Sequence, residues 1–321
     1  MSNLARRAAA WLVACLVPCA WAQAPAWPAK PVKLVVTLAA GSATDIIGRM
    51  LAERLSGPLG QPVIVENRPG AGTAIGAAYV AKADPDGQTF LVTSSAHTVA
   101  PFVVPNLSYD TARDLAAVTP LASLPTVLVA PAGKGYRTVQ ELVAAARAKP
   151  GAINFASAAP STQLNAERFR RSAGFEAVHV PYKGAAEALN EVIAGRVDFY
   201  FSPIAPALPH IRDGKIVALA VGSAKRASIL PGVPTTLEAG YPDSDYNFWL
   251  ALFAPARTPR DIVKRMHDAS SAALAAPEAR ERLLRLGAEP MSATPEQFDA
   301  YIREELKLNA VLAKQAGLSA N

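Results

Sequence analysis

Small and hydroxylic residues recur where strand-like segments give way to helix-like ones: Gly41-Ser42-Ala43-Thr44, Ser94-Ser95, Ser157 with Ser161 and Thr162, Tyr182-Lys183-Gly184, and Ser202. They supply hydrogen-bond donors without an evident nucleophile or base, which suits holding a polar ligand better than transforming one. The most informative stretch is Val35-Val36-Thr37-Leu38-Ala39-Ala40-Gly41-Ser42-Ala43-Thr44-Asp45. It reads as a buried strand, a small-residue turn and the opening of a helix whose apolar positions are Ile46, Ile47, Met50, Leu51 and Leu55. Ala39, Ala40 and Gly41 leave the backbone open to close approach. Ser42 and Asp45 have capping-box spacing. The first N–H groups of a helix have no intrahelical acceptor and attract anions, most usefully at the carboxyl edge of a sheet. An ordinary βα turn whose amides meet water has the same local sequence, so spacing alone leaves both readings open.

Other chemistries lack their residues. Gly70-Ala71-Gly72-Thr73-Ala74-Ile75-Gly76 is one residue too long for a dinucleotide loop, and no acidic residue follows at the required distance. Its glycines fit close packing of a helix on a sheet. His97, His179, His210 and His267 are far apart, and none has a partner at metal-ligand spacing, so no metal and no cofactor is expected. His97 ends a strand on the Gly41 edge, where it either touches a ligand or serves a turn. No G-x-S-x-G elbow occurs, and no carboxylate pair stands out.

The elements that must position these residues alternate along the chain. Strands are expected at Val32–Thr37, Val63–Val65, Thr89–Thr93, Ile153–Ala156, Val178–Val180, Val197–Phe201 and Ile216–Val221. Helices intervene at Ala74–Ala83, Leu164–Arg171, Ala185–Ala194 and Pro206–Arg212, and Thr138 with Glu141 opens another through a capping box. Gly195 and Gly214 stand where helices end. Thr258-Pro259 and Thr294-Pro295 each place a cap residue before a proline, and the chain is helical from there on. Alternation of this kind predicts parallel sheets covered by helices. The extended runs Val118–Ala130 and Phe248–Ala254 suit crossings between two α/β lobes, or long strands within one sheet.

Arg6 and Arg7, the apolar run from Ala8 to Val17 and Ala20-Trp21-Ala22 together read as a secretory leader cut after Ala22. The apolar run is too short to span a membrane. Pro18 before Cys19 makes a poor lipoprotein signal. Both cysteines, Cys15 and Cys19, leave with the leader, so no disulfide is expected in an exported protein whose core must supply its stability. Removing Arg6 and Arg7 lowers the formal charge from +6 to +4, with 30 basic residues against 26 acidic. That excess is scattered rather than clustered, which argues against nucleic-acid and membrane-surface binding and is compatible with a small anionic ligand. A monomer is expected.

Several motifs together resemble a known family. They are Trp27-Pro28-Ala29-Lys30-Pro31-Val32, Gly41 through Asp45, Val65-Glu66-Asn67-Arg68-Pro69-Gly70-Ala71-Gly72, Ala83-Asp84-Pro85-Asp86-Gly87, His179-Val180-Pro181-Tyr182-Lys183-Gly184, Ala207-Leu208-Pro209-His210-Ile211, Pro234-Thr235 and Leu286-Gly287-Ala288-Glu289-Pro290. In order and over the whole mature chain, they resemble the Bug, or TctC-like, periplasmic receptors of tripartite tricarboxylate transporters. The resemblance implies a type II periplasmic binding fold: two doubly wound α/β lobes joined by two crossover segments, with the ligand cleft between. It implies lobes at residues 23–124 with 250–321, and 125–249. It also implies a carboxylate-bearing ligand and delivery to a two-component membrane permease. Carried over by position, Ala39, Ala40, Gly41, Ser42, Ala43, Thr44 and Asp45 would form a carboxylate loop, using backbone N–H groups and Thr44. Ser94, Ser95 and His97 would line the same lobe, Ser157, Tyr182 and Ser202 would close from the other, and Asn247 and Trp249 would wall the cleft. The chain departs from the family where Ala39-Ala40-Gly41-Ser42 replaces two prolines and two glycines, at Ala100, at Gln163 and in a shorter segment after Ser157. Ser202 replaces a frequent aspartate, which tilts the expected ligand toward an acid without an amine. A sensor feeding a membrane kinase and an exported hydrolase are the alternatives.

Overall fold

The computed structural model describes residues 27–315, so the leader and its cleavage site lie outside the described residues. Strand β1 (Val32–Val36) buries its three valines and Leu34 completely and leaves Lys33 partly exposed; it is flanked in the first sheet by β2 (Val63–Asn67) and β3 (Thr89–Ser94), both parallel to it. Helix α1 (Ala43–Leu59) joins β1 to β2, and α2 (Ala74–Ala81) joins β2 to β3. After β3 come α3 (Ala96–Val103) and β4 (Leu115–Ser123). The second sheet begins at β5 (Thr126–Pro131) and continues through α4 (Val139–Ala148), β6 (Asn154–Ser157), α5 (Pro160–Ala173), β7 (Val178–Pro181), α6 (Ala185–Ile193), β8 (Phe199–Pro203), α7 (Ile204–Arg212) and β9 (Ile216–Val221). The chain then returns to the first sheet with β10 (Trp249–Pro255), α8 (Arg260–Ala275), α9 (Pro277–Arg285), β11 (Glu289–Pro290) and α10 (Pro295–Gln315).

The sheet orders are β11-β4-β10-β3-β1-β2 and β7-β6-β8-β5-β9. Both sheets are mixed, not parallel as alternation predicts. β10 runs antiparallel to β3 and β4, β5 antiparallel to β8 and β9, and the two-residue β11 antiparallel to β4. The reason is topological. A chain that leaves one sheet at its carboxyl edge and enters the other at the facing edge must run away from that edge, against its new neighbours. The run 118–130 is therefore split at Leu124-Pro125 into β4 and β5, whereas 249–254 lies wholly within β10.

Helices bury both faces of each sheet. Ile47, Met50 and Leu51 of α1, with Met266 of α8 and Leu283 of α9, cover one face of the first sheet, and Ala77 of α2 with Phe298 and Ile302 of α10 cover the other. In the second sheet Leu142, Val143 and Phe169 of α4 and α5 pack on Phe155, Phe199 and Phe201, while Leu189, Val192 and Ala207 of α6 and α7 close the opposite face. A fifth cluster of Val99, Leu164, Tyr246 and Leu312 joins α3 and α10 to α5. Local signals hold where caps are specific. Thr138 and Glu141 make both halves of their capping box, Thr294 accepts from Gln297 N at 3.2 Å, and Gly195 and Gly214 have φ of 72° and 68°. Pro259, rather than Thr258, takes the cap position of α8.

Candidate functional site

Pairing register places the candidate residues. In the first sheet Val36 pairs with Val92 and Asn67, Leu250 with Ser94 and Trp249 with Ser123, so the ends of β1, β3 and β4 share one edge. In the second sheet Thr126 pairs with Pro203, Val127 with Val221 and Ser157 with Pro181, so the ends of β6, β7, β8 and β9 share an edge with the start of β5. Only Leu124 and Pro125 separate Ser123 from Thr126, a span of about 10 Å even when extended. The two carboxyl edges therefore face each other, and the turns that follow their strands meet there. The return crossing is stitched to the outward one: Leu124 N donates to Phe248 O (2.7 Å), Gly222 N to Thr126 O (2.8 Å) and Ser123 Oγ to Asn247 Oδ1 (2.6 Å).

The turn after β1 is braced from below. Ser42 Oγ caps α1 by accepting from Asp45 N at 3.2 Å. The Asp45 carboxylate does not return to the Ser42 amide as in a full capping box. It accepts from Gly41 N (2.9 Å), Arg49 Nε (3.0 Å) and Asn67 Nδ2 (2.8 Å), and Asn67 Nδ2 also donates to Leu38 O (3.0 Å). Burial raises the Asp45 carboxyl, but the bonds from Arg49, Gly41 and Asn67 outweigh it and hold the group below the usual carboxylate range. Gly41 has φ of 82°, a conformation costly for any residue with a Cβ. Ala39, Ala40 and Gly41 are exposed. Among the described residues, the amides of Ala39, Ala40, Ala43 and Thr44 donate to no protein group, nor does Thr44 Oγ1. The result is a rigid crescent of donors over a positive helix end.

The remaining candidates divide into those at the edge and those behind it. Ser95 stands at the start of α3 beside Tyr246, and neither hydroxyl completes a hydrogen bond to protein. On the second sheet Ser157 Oγ lies 2.7 Å from His179 Nε2, Thr162 Oγ1 accepts from Ala158 N and Ala159 N, and Tyr182 N donates to Ser157 O. Ser202 Oγ donates to Pro203 O, and the buried Tyr200 hydroxyl beside it has no partner. Ser94 Oγ accepts from Ala96 N at 3.4 Å. His97 and Trp249 lie deeper. His97 stacks on Tyr109 and tilts against Phe253, and full burial pushes its imidazole down to about 3, so it is neutral. Trp249 is fully buried against Phe253 and Phe298, with Nε1 donating to Glu305. Sequence reasoning missed Tyr200, Tyr246 and Asn165, whose signal is an unpaired polar atom visible only after folding.

Two surface hollows, of about 550 Å³ around Tyr109 to Asp114 and about 600 Å³ around Arg260, Lys264 and His267, lie away from these edges. Arg113 is paired with Asp114 and Lys264 with Asp268. No group of side chains able to hold a metal ion, and no helix long and apolar enough to cross a membrane, occurs among the described residues.

The family profile described as tripartite tricarboxylate transporter family receptor matches residues 47–318. Protein BugT of Bordetella pertussis is 34% identical over 298 residues, covering 92% of this chain and 91% of BugT. An R. palustris protein solved with adipate is 32% identical with a TM-score of 0.76, over 91% of this chain and 99% of that one. MatC of Rhodopseudomonas palustris, solved with bound malate, is 31% identical with a TM-score of 0.72, over 89% of this chain and 99% of MatC.

Proposed function

The chain belongs to the tripartite tricarboxylate transporter receptor family, the TctC and Bug solute-binding proteins, and from that membership we propose that it is a periplasmic receptor for a small carboxylate. The observation that carries the reading is the crescent of unpaired amides at Ala39, Ala40, Ala43 and Thr44, set on an edge that faces the exits of the second sheet. A carboxylate there replaces lost hydration with four N–H groups, the Thr44 hydroxyl and a helix N-terminus. Among the described residues, 27–124 with 250–315 form one lobe and 125–249 the other, hinged at Leu124-Pro125 and at Phe248-Trp249, where the chain rejoins the first sheet. Ser157, Tyr182 and Ser202 engage the far end of the ligand, and those contacts, made only with the lobes together, drive closure. The closed form is what a two-component membrane permease accepts.

Neutral Ser202 leaves the second lobe without a carboxylate at that strand end, which favours an acid lacking an amine. The relatives solved with adipate and with malate fit that class. Among the described residues, the Ser157–His179 contact is the feature that would suit a hydrolase. The carboxylate acting on His179, Glu167, is held by Arg170 and makes no hydrogen bond to the imidazole, so the pair lacks the third member of a triad and braces β6 on β7. Titration calorimetry with adipate, malate and aspartate tests the proposal. Saturable binding of one or both plain diacids, tighter than aspartate, is expected. Tight binding of aspartate alone refutes the amine-free ligand, and binding of none of the three refutes diacid capture.

A further inference from the structure

The run Leu286-Gly287-Ala288-Glu289-Pro290 takes no part in the site described above, yet it joins the two lobes. Glu289 Oε1 accepts from Ser228 N at 2.7 Å, and Oε2 accepts from Ser228 Oγ at 3.0 Å. Glu289 pairs with Ser123 at the end of β4, which fixes it to the first lobe. Ser228 follows β9, and its neighbour Ala227 is buried in the core of the second sheet, which fixes it to the other. Beside this contact Gly287 lies against the first turn of α7, where a Cβ would stand 3.7 Å from Ala205 N and 3.9 Å from Ile204 Cβ.

Strand order shows on which side of the crossings the contact falls. In the first sheet β11 lies outside β4, whereas β1 and its turn lie beyond β10 and β3, on the opposite side of the crossing strands. At strand spacing, β11 is about 5 Å to one side of β4 and β1 about 10 Å to the far side of β10. In the second sheet Ser157, Tyr182 and Ser202 belong to or follow β6, β8 and β7, all on one side of β5, and Ser228 hangs from β9 on the other. The contact is made in a conformation that leaves Ala39, Ala40 and Gly41 exposed. We propose that Glu289 and Ser228 form a latch that holds the cleft open. A turn about the crossings that carries the edge of the second sheet toward Ala39–Thr44 draws Ser228 away from Glu289, so a ligand must break this contact to close the lobes. Glu289 is half-buried and Ser228 exposed, so both are rehydrated when they part, and the latch tunes closure without forbidding it. Its effect on affinity rests on the receptor reading above; the contact between the lobes does not.

The test has a ligand-free arm and a ligand arm. Residues 27–315 contain no cysteine, so spin labels go on Ile64→Cys of β2 and Val178→Cys of β7, exposed positions on the strands farthest from the crossings on the ligand side. Electron–electron resonance distances in the ligand-free protein should show the ratio of short to long separations rise about threefold or more when Glu289→Ala is added, the lower range of what one hydrogen bond contributes. An unchanged distribution overturns the latch. In the ligand arm, Kd for adipate and malate is measured on the unlabelled chain. Whichever diacid the wild type takes should bind Glu289→Ala more tightly by the same factor, a direction that loss of structure does not produce. Ser228→Ala removes one of the two donors and should tighten binding less. Should Glu289→Ala fail to fold, Glu289→Gln replaces it, since a neutral carboxamide accepts more weakly and shifts both readouts the same way. Equal or weaker binding by the folded variant overturns the latch. Should neither diacid bind the wild type, the receptor reading falls, and the spin-label distances alone decide the latch.

Discussion

Asn67 Nδ2 donates to Asp45 Oδ1 at 2.8 Å, tying the end of β2 to the first turn of α1 across 22 residues of sequence. The same amide group holds Leu38 O, so one asparagine fixes both shoulders of the turn that carries the free amides. Asn67→Ala leaves a buried carboxylate short of a donor and a carbonyl without one, at a cost of about 1–3 kcal/mol. Thermal denaturation should show that loss, together with weaker diacid binding from a looser loop. The Asp45 carboxyl is depressed in the folded state, so its contribution is present at neutral pH and fades as acid protonates it. The gap in stability between wild type and Asp45→Asn should therefore narrow below the carboxylate range.

Ala43 offers a cleaner probe of the amides. It is the first residue of α1, and Ser42 before it is extended at φ −69° and ψ 159°. Proline is favoured at a first helical position and needs an extended predecessor. Ala43→Pro should therefore fold normally by circular dichroism while deleting one N–H. Losing a charge-assisted hydrogen bond should weaken diacid binding by about tenfold or more.

Gly222 marks where the two crossings touch. A Cβ there would meet Thr126 Oγ1 at 2.5 Å and Asn165 Nδ2 at 2.8 Å, and both groups belong to the second sheet and its α5. Gly222→Ala should cost about 1–3 kcal/mol through overpacking. Chemical denaturation measures it, and an unchanged midpoint would show that the crossings yield freely.

Glu305 gives a stability signature of its own. Its carboxyl rises from the usual 4.5 to about 7 on folding, so the folded chain holds a proton that the unfolded chain has released. Stability from this group is complete below the unfolded value and is lost as pH rises through the folded one, in total about 3 kcal/mol at roughly 1.4 kcal/mol per unit. The melting temperature of wild type should decline over that window relative to Glu305→Gln.

What the sequence revealed and what it hid divide along range. The β1–turn–α1 unit and the Thr138–Glu141 box were legible because their determinants lie within a few residues. Strand direction was not, since the apolar runs of β5 and β10 read the same in parallel or antiparallel neighbours. Side-chain facing was lost in the same way. Trp249 has the composition of a cleft wall, yet its partner Glu305 is 56 residues away, and Thr98 is 207 from that glutamate. His97 ends up stacked on Tyr109, which no local pattern near either residue announces. The free amides of the turn were legible; the Asp45–Arg49–Asn67 brace that keeps them in place was not, because Asp45 reads as a capping-box partner of Ser42 and Asn67 arrives from the next strand.

The central claim is that backbone N–H groups after β1 grip the ligand carboxylate. Amide chemical shifts followed through an adipate or malate titration test it most directly. The account predicts saturating shifts at Ala39, Ala40, Ala43 and Thr44, with a second set near Ser157 and Ser202. Saturable binding that leaves those four amides unmoved, with the shifts gathered instead around Arg113 or His267, would contradict it.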